Sequence, residues 1–214
     1  MPHSLTSTTE VVGFNTAAQQ QASKLLTSFF DSILALASKP SFTLSGNKVV
    51  IHMFYYTASG DKALSNSAIN SLGKVLSKLF KAEVELRLVK LHYPYLNSYI
   101  LAQYIAINTG KYNFTRIISR LWAANVIFSP STVKDSNSAS VLVDNTIPAY
   151  ITGIKVKVSG RLVTQRSVPR QTVQTAQVGT FSTAKVEMAS FTSKNKKGAF
   201  TVKVWIGQDA LAKA

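Results

Sequence analysis

The sequence predicts an α+β fold in two parts, the second of which is a mainly antiparallel sheet. Apolar residues recur at helical spacing between strand-like stretches up to about residue 124, whereas alternating, β-branched stretches dominate after Pro148. The 214 residues, of which 46% are hydrophobic, suffice for a core in each part. HYPYLNS, with the turn residue Pro94, separates the parts, and we expect domains at 1–95 and 96–214.

The first domain is predicted to alternate helices and strands behind a polar arm. The expected elements are the arm at 1–17, a helix at about 18–37, a strand at 48–56, a helix at about 65–81 and a strand at 83–91. Lys39-Pro40 is expected to end the first helix, because proline disfavours the helical conformation of the residue before it. EVELRLVKL, the last strand, alternates apolar and charged residues, which is typical of a strand with one buried face.

The second domain is predicted to begin with two helices and to end in a sheet. The expected elements are helices at about 97–108 and 113–124, a polar loop or insertion at 129–147, and strands at about 150–163, 184–191 and 200–206. The second helix is amphipathic, with Arg116 and Arg120 on its polar face. SKNKKG (193–198) is expected to form a hairpin in which Gly198 supplies a positive φ.

The charge balance predicts a polyanionic partner. Lys and Arg number 24 against 9 Asp and Glu, so the formal charge is +15. Residues 111–214 carry 15 basic and 4 acidic residues (+11), whereas the first 110 carry 9 and 5 (+4). Such an excess opposes compaction unless a partner neutralises it, and the common partners are nucleic acid and anionic membrane. We expect the polyanion to bind mainly the second half.

An enzymatic function is not expected from the titratable residues. The chain has no cysteine, and its three histidines and nine carboxylates are scattered. Phosphate-binding loops, dinucleotide fingerprints and zinc-ligand spacings do not occur, so we expect no catalytic residue, no metal and no cofactor. The apolar run at 25–37 is shorter than the roughly 20 residues of a membrane-spanning helix, and no membrane anchor is expected.

The basic residues of the carboxy-terminal part are the candidate binding site. Between Tyr150 and Gln208 ten basic residues accompany a single acid, Glu187. Lysines supply point charges to phosphates, and arginines can form forked contacts or stack on bases. Apart from Lys185, these residues are the candidate RNA-binding set: Lys155, Lys157, Arg161, Arg166, Arg170, Lys194, Lys196, Lys197 and Lys203.

Ordered motifs give the chain a family resemblance. GIKVKVSGRL (153–162), followed by VPR and closed by KKGAFTVKVWIG (196–207), resembles the carboxy-terminal domain of the third small-subunit ribosomal protein family. Upstream, KVVIHMFYY, HYPYLNSYILAQYIA and DNTIPAYITG are similar to the fungal mitochondrial form of that family. The resemblance covers the chain from about Lys48 onward.

The resemblance implies a fold and a set of partners. The first domain would be a type II KH domain, but one that is degenerate, because TASGDKALSN (57–66) has only Gly60 where a GXXG loop clamps RNA. The protein would be a structural constituent of the mitochondrial small ribosomal subunit, in the matrix. It would bind ribosomal RNA and neighbouring proteins in the head and line the channel by which messenger RNA enters, with Arg116 and Arg120 facing the messenger.

Two other functions remain open at this point. A free KH-like protein that binds single-stranded RNA in RNA metabolism would be expected to carry a GXXG loop, which this sequence lacks. A basic membrane-surface protein would require a lysine-rich amphipathic helix, whereas the first helix has only Lys24 and Lys39 near its ends. Whether the protein is made inside the mitochondrion or imported also stays open.

Overall fold

The computed structural model describes residues 16–46, 48–58, 64–123, 149–182 and 184–210. The chain divides into two compact units, Met1–His92 and Tyr93–Ala214, and each contains helices and a four-stranded sheet. The predicted α+β class, with antiparallel pairing in the sheets, is confirmed. The arm up to residue 15, the loop at 129–147 and Gly60 with its neighbours at 59–63 lie outside the described residues.

The first unit is a mixed sheet with two helices on one face. Its elements are α1 (Thr16–Ser32), β1 (Leu36–Ala37), β2 (Ser41–Ser45), β3 (Lys48–Tyr56), α2 (Asn66–Phe80) and β4 (Glu83–Lys90). β4 pairs parallel with one edge of β3, and β1 and β2 pair antiparallel with the other. Phe30 of α1, Leu76 of α2 and Ile51 of β3 are fully buried in one cluster, and the predicted inward face of β4 packs against it.

The end of the first helix differs from the prediction. α1 ends at Ser32 rather than near residue 37, because Leu34 adopts a positive φ of 56°. The N–H of Leu34 bonds the Asp31 carbonyl at 3.1 Å and the N–H of Ala35 bonds the Phe30 carbonyl at 3.0 Å, which is the bond pair of a Schellman cap. The chain has therefore left the helix before Lys39-Pro40, and residues 36–37 pair with β3 instead.

Replacing Leu34 by glycine is expected to stabilise this helix end by about 0.5–1 kcal/mol, because glycine adopts the left-handed conformation without a Cβ clash. The lost side chain contributes little packing, since it is 87% exposed. Native-state hydrogen exchange of the last α1 amides measures the effect, and Leu34→Ala is the control that keeps the strain. Faster exchange in the glycine variant than in the wild type would contradict the prediction.

The second unit is an antiparallel sheet covered on one face by two helices. A short 3-10 turn (Pro94–Leu96) precedes α3 (Ser98–Asn108), α4 (Phe114–Ala123), β5 (Ala149–Gly160), β6 (Val173–Gly179), β7 (Lys185–Asn195) and β8 (Gly198–Ala210). The strands lie in the order β6-β5-β8-β7. β7 and β8 form the predicted hairpin with the turn Lys196-Lys197, and Gly198 has the expected positive φ, at 123°. β6 was not predicted.

A side-chain cap determines where α3 begins, and burial in the core determines which face of α4 points inward. The side chain of Asn97 accepts hydrogen bonds from the N–H groups of Tyr99 and Ile100, both at 3.1 Å, and so begins α3. The predicted apolar stripe of α4 is confirmed, with Ile117 and Leu121 buried against the sheet. Within the described ranges, no helix is both long and apolar enough to cross a bilayer.

Candidate RNA-binding surface

The sheet of the second unit has one covered face and one face that we call the open face. Ile154, Val156 and Val158 of β5 point to the covered face and join the buried cluster that contains α3 and α4. Lys155 and Lys157 alternate with them and therefore point to the open face. The alternation in GIKVKVSGRL thus places the apolar side chains in the core and the lysines outside it.

Cross-strand pairing places further lysines on the open face, beside those of β5. In β8, Lys203 lies opposite Lys157, and Trp205 lies opposite Lys155. Residues that face each other in an antiparallel pair project to the same side of the sheet. Lys194, near the end of β7, shares this side through its pairing with Ala199. The open face thus presents four lysines from three strands.

Glu187 is held on the opposite side of the sheet. It pairs with the buried Ile206, which places its side chain on the covered face beside the start of α3. Ser98 Oγ donates to the Glu187 carboxylate at 2.7 Å, and Asn97 Nδ2 approaches the same oxygen at 3.4 Å. A carboxylate is also favoured at a helix amino terminus by the helix dipole. The single acid between Tyr150 and Gln208 is therefore kept away from the lysines of the open face.

A second group of cations lies at what we call the hairpin end of the sheet, formed by the β7–β8 turn and the loop 161–172. This loop leaves β5 at Gly160, which pairs with Phe200 just after the turn, so loop and turn meet at one end. Asn195 Nδ2 donates to the Arg161 carbonyl at 2.8 Å and joins them. The hairpin end carries Arg161, Arg166, Arg170, Lys196 and Lys197.

Two of these cations also hold the loop in place. The Lys197 ammonium donates to the Gln165 carbonyl, and the Arg161 guanidinium donates to the Ser167 carbonyl. The Lys197 backbone N–H in turn bonds Asn195 Oδ1 at 2.8 Å. Arg166, Arg170 and Lys196 are exposed. These hydrogen bonds thus fix the loop 161–172 to the turn, and three cations of the hairpin end stay exposed. Residue types alone do not reveal this arrangement.

The cations of the second unit far outnumber its described carboxylates, Glu187 and Asp209. In the first unit, by contrast, cations pair with acids: Lys48 bonds Glu83 at 3.0 Å and Arg87 bonds Glu85 at 2.7 Å. The hydrogen bond and charge of Arg87 lower the pKa of the Glu85 carboxyl. Most of the positive charge of the open face and the hairpin end is therefore left unneutralised by the described carboxylates of this unit. No group of His, Asp or Glu in the described residues is arranged to hold a metal.

A separate pair of cations lies on α4. Arg116 and Arg120 are exposed, and both guanidinium groups lie over the ring of Tyr112, at 5.1 Å and 4.6 Å from its centroid. Both distances are within the range of a cation–π contact. The predicted polar face is confirmed, but the sequence did not single out Tyr112. Its position four residues before Arg116 is the signal that would have found it.

A two-part α+β fold with a large unneutralised cationic surface is typical of basic proteins that bind nucleic acid. Residues 35–209 match the family described as mitochondrial ribosomal protein (VAR1). The small ribosomal subunit protein uS3m of Mycosarcoma maydis is 38% identical over an aligned length of 205, and the match covers 85% of this chain and 69% of that protein. The chain belongs to the mitochondrial ribosomal protein (VAR1) family. This membership confirms the expected resemblance, the mitochondrial location and a structural rather than enzymatic role.

Proposed function

We propose that the protein is a structural constituent of the mitochondrial small ribosomal subunit that binds ribosomal RNA through the open face and the hairpin end. The observation that carries the proposal is the excess of positive charge on the open face, where four lysines accompany one acid, Asp209, while Glu187 lies on the other side of the sheet. The relative named as a small-subunit protein supports the choice of subunit. Neighbouring proteins of the subunit are the other partners we propose.

The binding would be mainly electrostatic. Each lysine or arginine that contacts a phosphate releases condensed counterions, so the affinity falls steeply as the salt concentration rises. Sedimentation of mitochondrial extracts over a series of salt concentrations tests the proposal. The protein should migrate with small subunits at low salt and leave them as salt increases. A slow, RNA-free peak at low salt would favour the free single-strand-binding protein instead.

We propose a supporting role for the first unit, as a degenerate KH-like domain. Its order of α1, β2, β3, α2 and β4, with β3 and β4 parallel, is compatible with a reduced type II KH domain. The single glycine of TASGDKALSN supports the loss of the RNA clamp, because backbone without a GXXG turn does not approach phosphates closely. The unit would then serve packing within the subunit rather than RNA clamping.

The resemblance assigns Arg116 and Arg120 to the channel by which messenger RNA enters, and we retain this assignment as a proposal. The two guanidinium groups stand one helical turn apart on the same side of α4, over Tyr112. They would hold two phosphates of one strand, while Thr115 and Ser119, beside them, add no charge. The contact would therefore be weaker than one formed by a longer basic cluster.

Replacing both arginines by alanine is expected to slow translation of messages that carry a stable hairpin, while unstructured messages are translated normally. Two lost phosphate contacts should also lower the salt slope of messenger binding by roughly 1.4 units, the value for single strands. Reporter translation in organello and crosslinking from positions 116 and 120 provide the measurements. The control is Thr115→Ala with Ser119→Ala. Crosslinks to protein alone, with unchanged passage through hairpins, would refute the channel assignment.

A further inference from the structure

We propose that Trp205 forms a stacking site for an unpaired RNA base on the open face, with Lys155, Lys157 and Lys203 holding the adjoining phosphates. This inference rests on the proposed RNA binding and specifies its form. The sequence indicated where the positive charge lies, but not that an aromatic ring stands among the lysines. Base stacking on aromatic side chains is the usual way in which proteins bind single-stranded RNA on a sheet.

The strand register places Trp205 beside the lysines. Its ring is partly exposed, and its two cross-strand neighbours are Lys155 in β5 and Met188 in β7. The Lys155 ammonium lies over the Trp205 ring in a cation–π contact, 5.7 Å from its centroid. A base that stacks on this face would displace the ammonium from the ring and leave it close enough to contact the phosphate. One residue pair would bind both parts of a nucleotide.

Apolar surface surrounds the ring on the side away from the hairpin end. Met188, 53% exposed, and Val186, 43% exposed, alternate onto the open face and extend the apolar surface beside Trp205. Gly207 is the next residue of β8 on this face, and a Cβ there would lie 3.1 Å from Phe181 Cδ1. A second aromatic ring thus reaches the same end of the open face. This apolar platform, next to three lysines, matches the base and phosphate of a single strand.

Charge complementarity favours RNA over a protein segment as the occupant. Lys155 is the charged cross-strand neighbour of the ring, whereas Glu187 points to the covered face and Asp209 lies four residues further along β8. The stacking site also favours unpaired RNA over a duplex, since the bases of a duplex are already stacked on each other and present only their edges and backbone. The expected ligand is therefore a looped or bulged nucleotide of the ribosomal RNA.

Tryptophan fluorescence of the full-length protein tests the site directly. The chain has two tryptophans, so Trp122→Phe leaves Trp205 as the sole emitter without altering the open face. We expect a short oligouridylate to quench Trp205 saturably, and a blunt RNA duplex at equal phosphate concentration to quench it far less. This measurement keeps the proposed residue intact and does not depend on the folding of an open-face variant.

Affinity measurements complete the test. Trp205→Leu, which keeps an apolar side chain, should weaken oligouridylate binding by roughly 5- to 100-fold, the range for loss of one stacking aromatic. Trp205→Phe should give an intermediate loss, and duplex binding should be unchanged in both variants. Oligouridylate binding without quenching and without loss in Trp205→Leu would overturn the stacking site while leaving electrostatic RNA binding intact. Binding of polyglutamate but of neither RNA would overturn both proposals.

Discussion

Replacing Lys194, Lys196 and Lys197 together by glutamine is expected to lower the salt slope of ribosomal RNA binding by about 2 to 3 units. Lys194 and Lys196 are exposed, so each can contact a phosphate directly. Lys197 donates to the Gln165 carbonyl and contributes a further contact only where RNA displaces that bond. Filter binding to small-subunit RNA over a range of salt concentrations gives the slope, and incorporation into subunits should fall in parallel.

A second triple variant shows whether the salt slope depends on the position of the lysines or only on the net charge. Glutamine at Lys62, Lys74 and Lys78 removes the same three charges from the first unit, and we expect the salt slope to remain that of the wild type. Lys62 lies in TASGDKALSN, so this control also tests the predicted absence of a clamp there. Arginine at the three hairpin positions should preserve the slope. Equal losses in both glutamine triplets would mean that net charge alone governs binding and that the hairpin end is no site.

Replacing Gly179 by alanine is expected to destabilise the second unit by about 3 kcal/mol. Gly179 ends β6 with φ 81°, and a Cβ there would lie 2.1 Å from the carbonyl oxygen of Thr152. The next residue, Thr180, donates its N–H to that same oxygen at 3.1 Å. Relief of the clash would therefore require the two backbones to separate and would break this hydrogen bond.

Urea unfolding followed by tryptophan fluorescence measures the effect in the relevant unit, because Trp122 and Trp205 both belong to Tyr93–Ala214. Gly110→Ala is the control. Its φ is not positive and its added Cβ meets only the Ile107 carbonyl, at 3.5 Å, so a neutral or slightly stabilising change is expected. An unchanged unfolding midpoint for Gly179→Ala would contradict the close approach between β6 and β5.

Elements whose apolar residues recur at a regular spacing were predictable from the sequence. β4, β5 and α4 present the expected inward residues, since burial of one face dictates the pattern. β6 was missed because its inward positions include Gln174, whereas Val173 is 43% exposed, so the pattern of VQTAQVG does not match burial. β1 and β2 were missed because they are short and depend on β3 for their pairing.

The candidate site was predictable in composition but not in arrangement. An excess of cations over acids identified the residues, because charge can be counted along a chain. Their positions depend on register, which brings Trp205 beside Lys155 and turns Glu187 toward Ser98. The bonds of Arg161 and Lys197 to loop carbonyls likewise arise only when the loop 161–172 meets the hairpin. Contacts between distant segments determine these features, and no local pattern encodes them.

The placement of Glu187 has a kinetic consequence. A sheet has little dipole of its own, so the local potential is set by side chains, and the four lysines of the open face lie on the side of the sheet opposite to Glu187. A nearby polyanion attracts this group of lysines, which raises the fraction of collisions that begin at the open face. The attraction extends only about 8 Å at physiological ionic strength. Salt should therefore slow the association rate during subunit assembly, in addition to hastening dissociation.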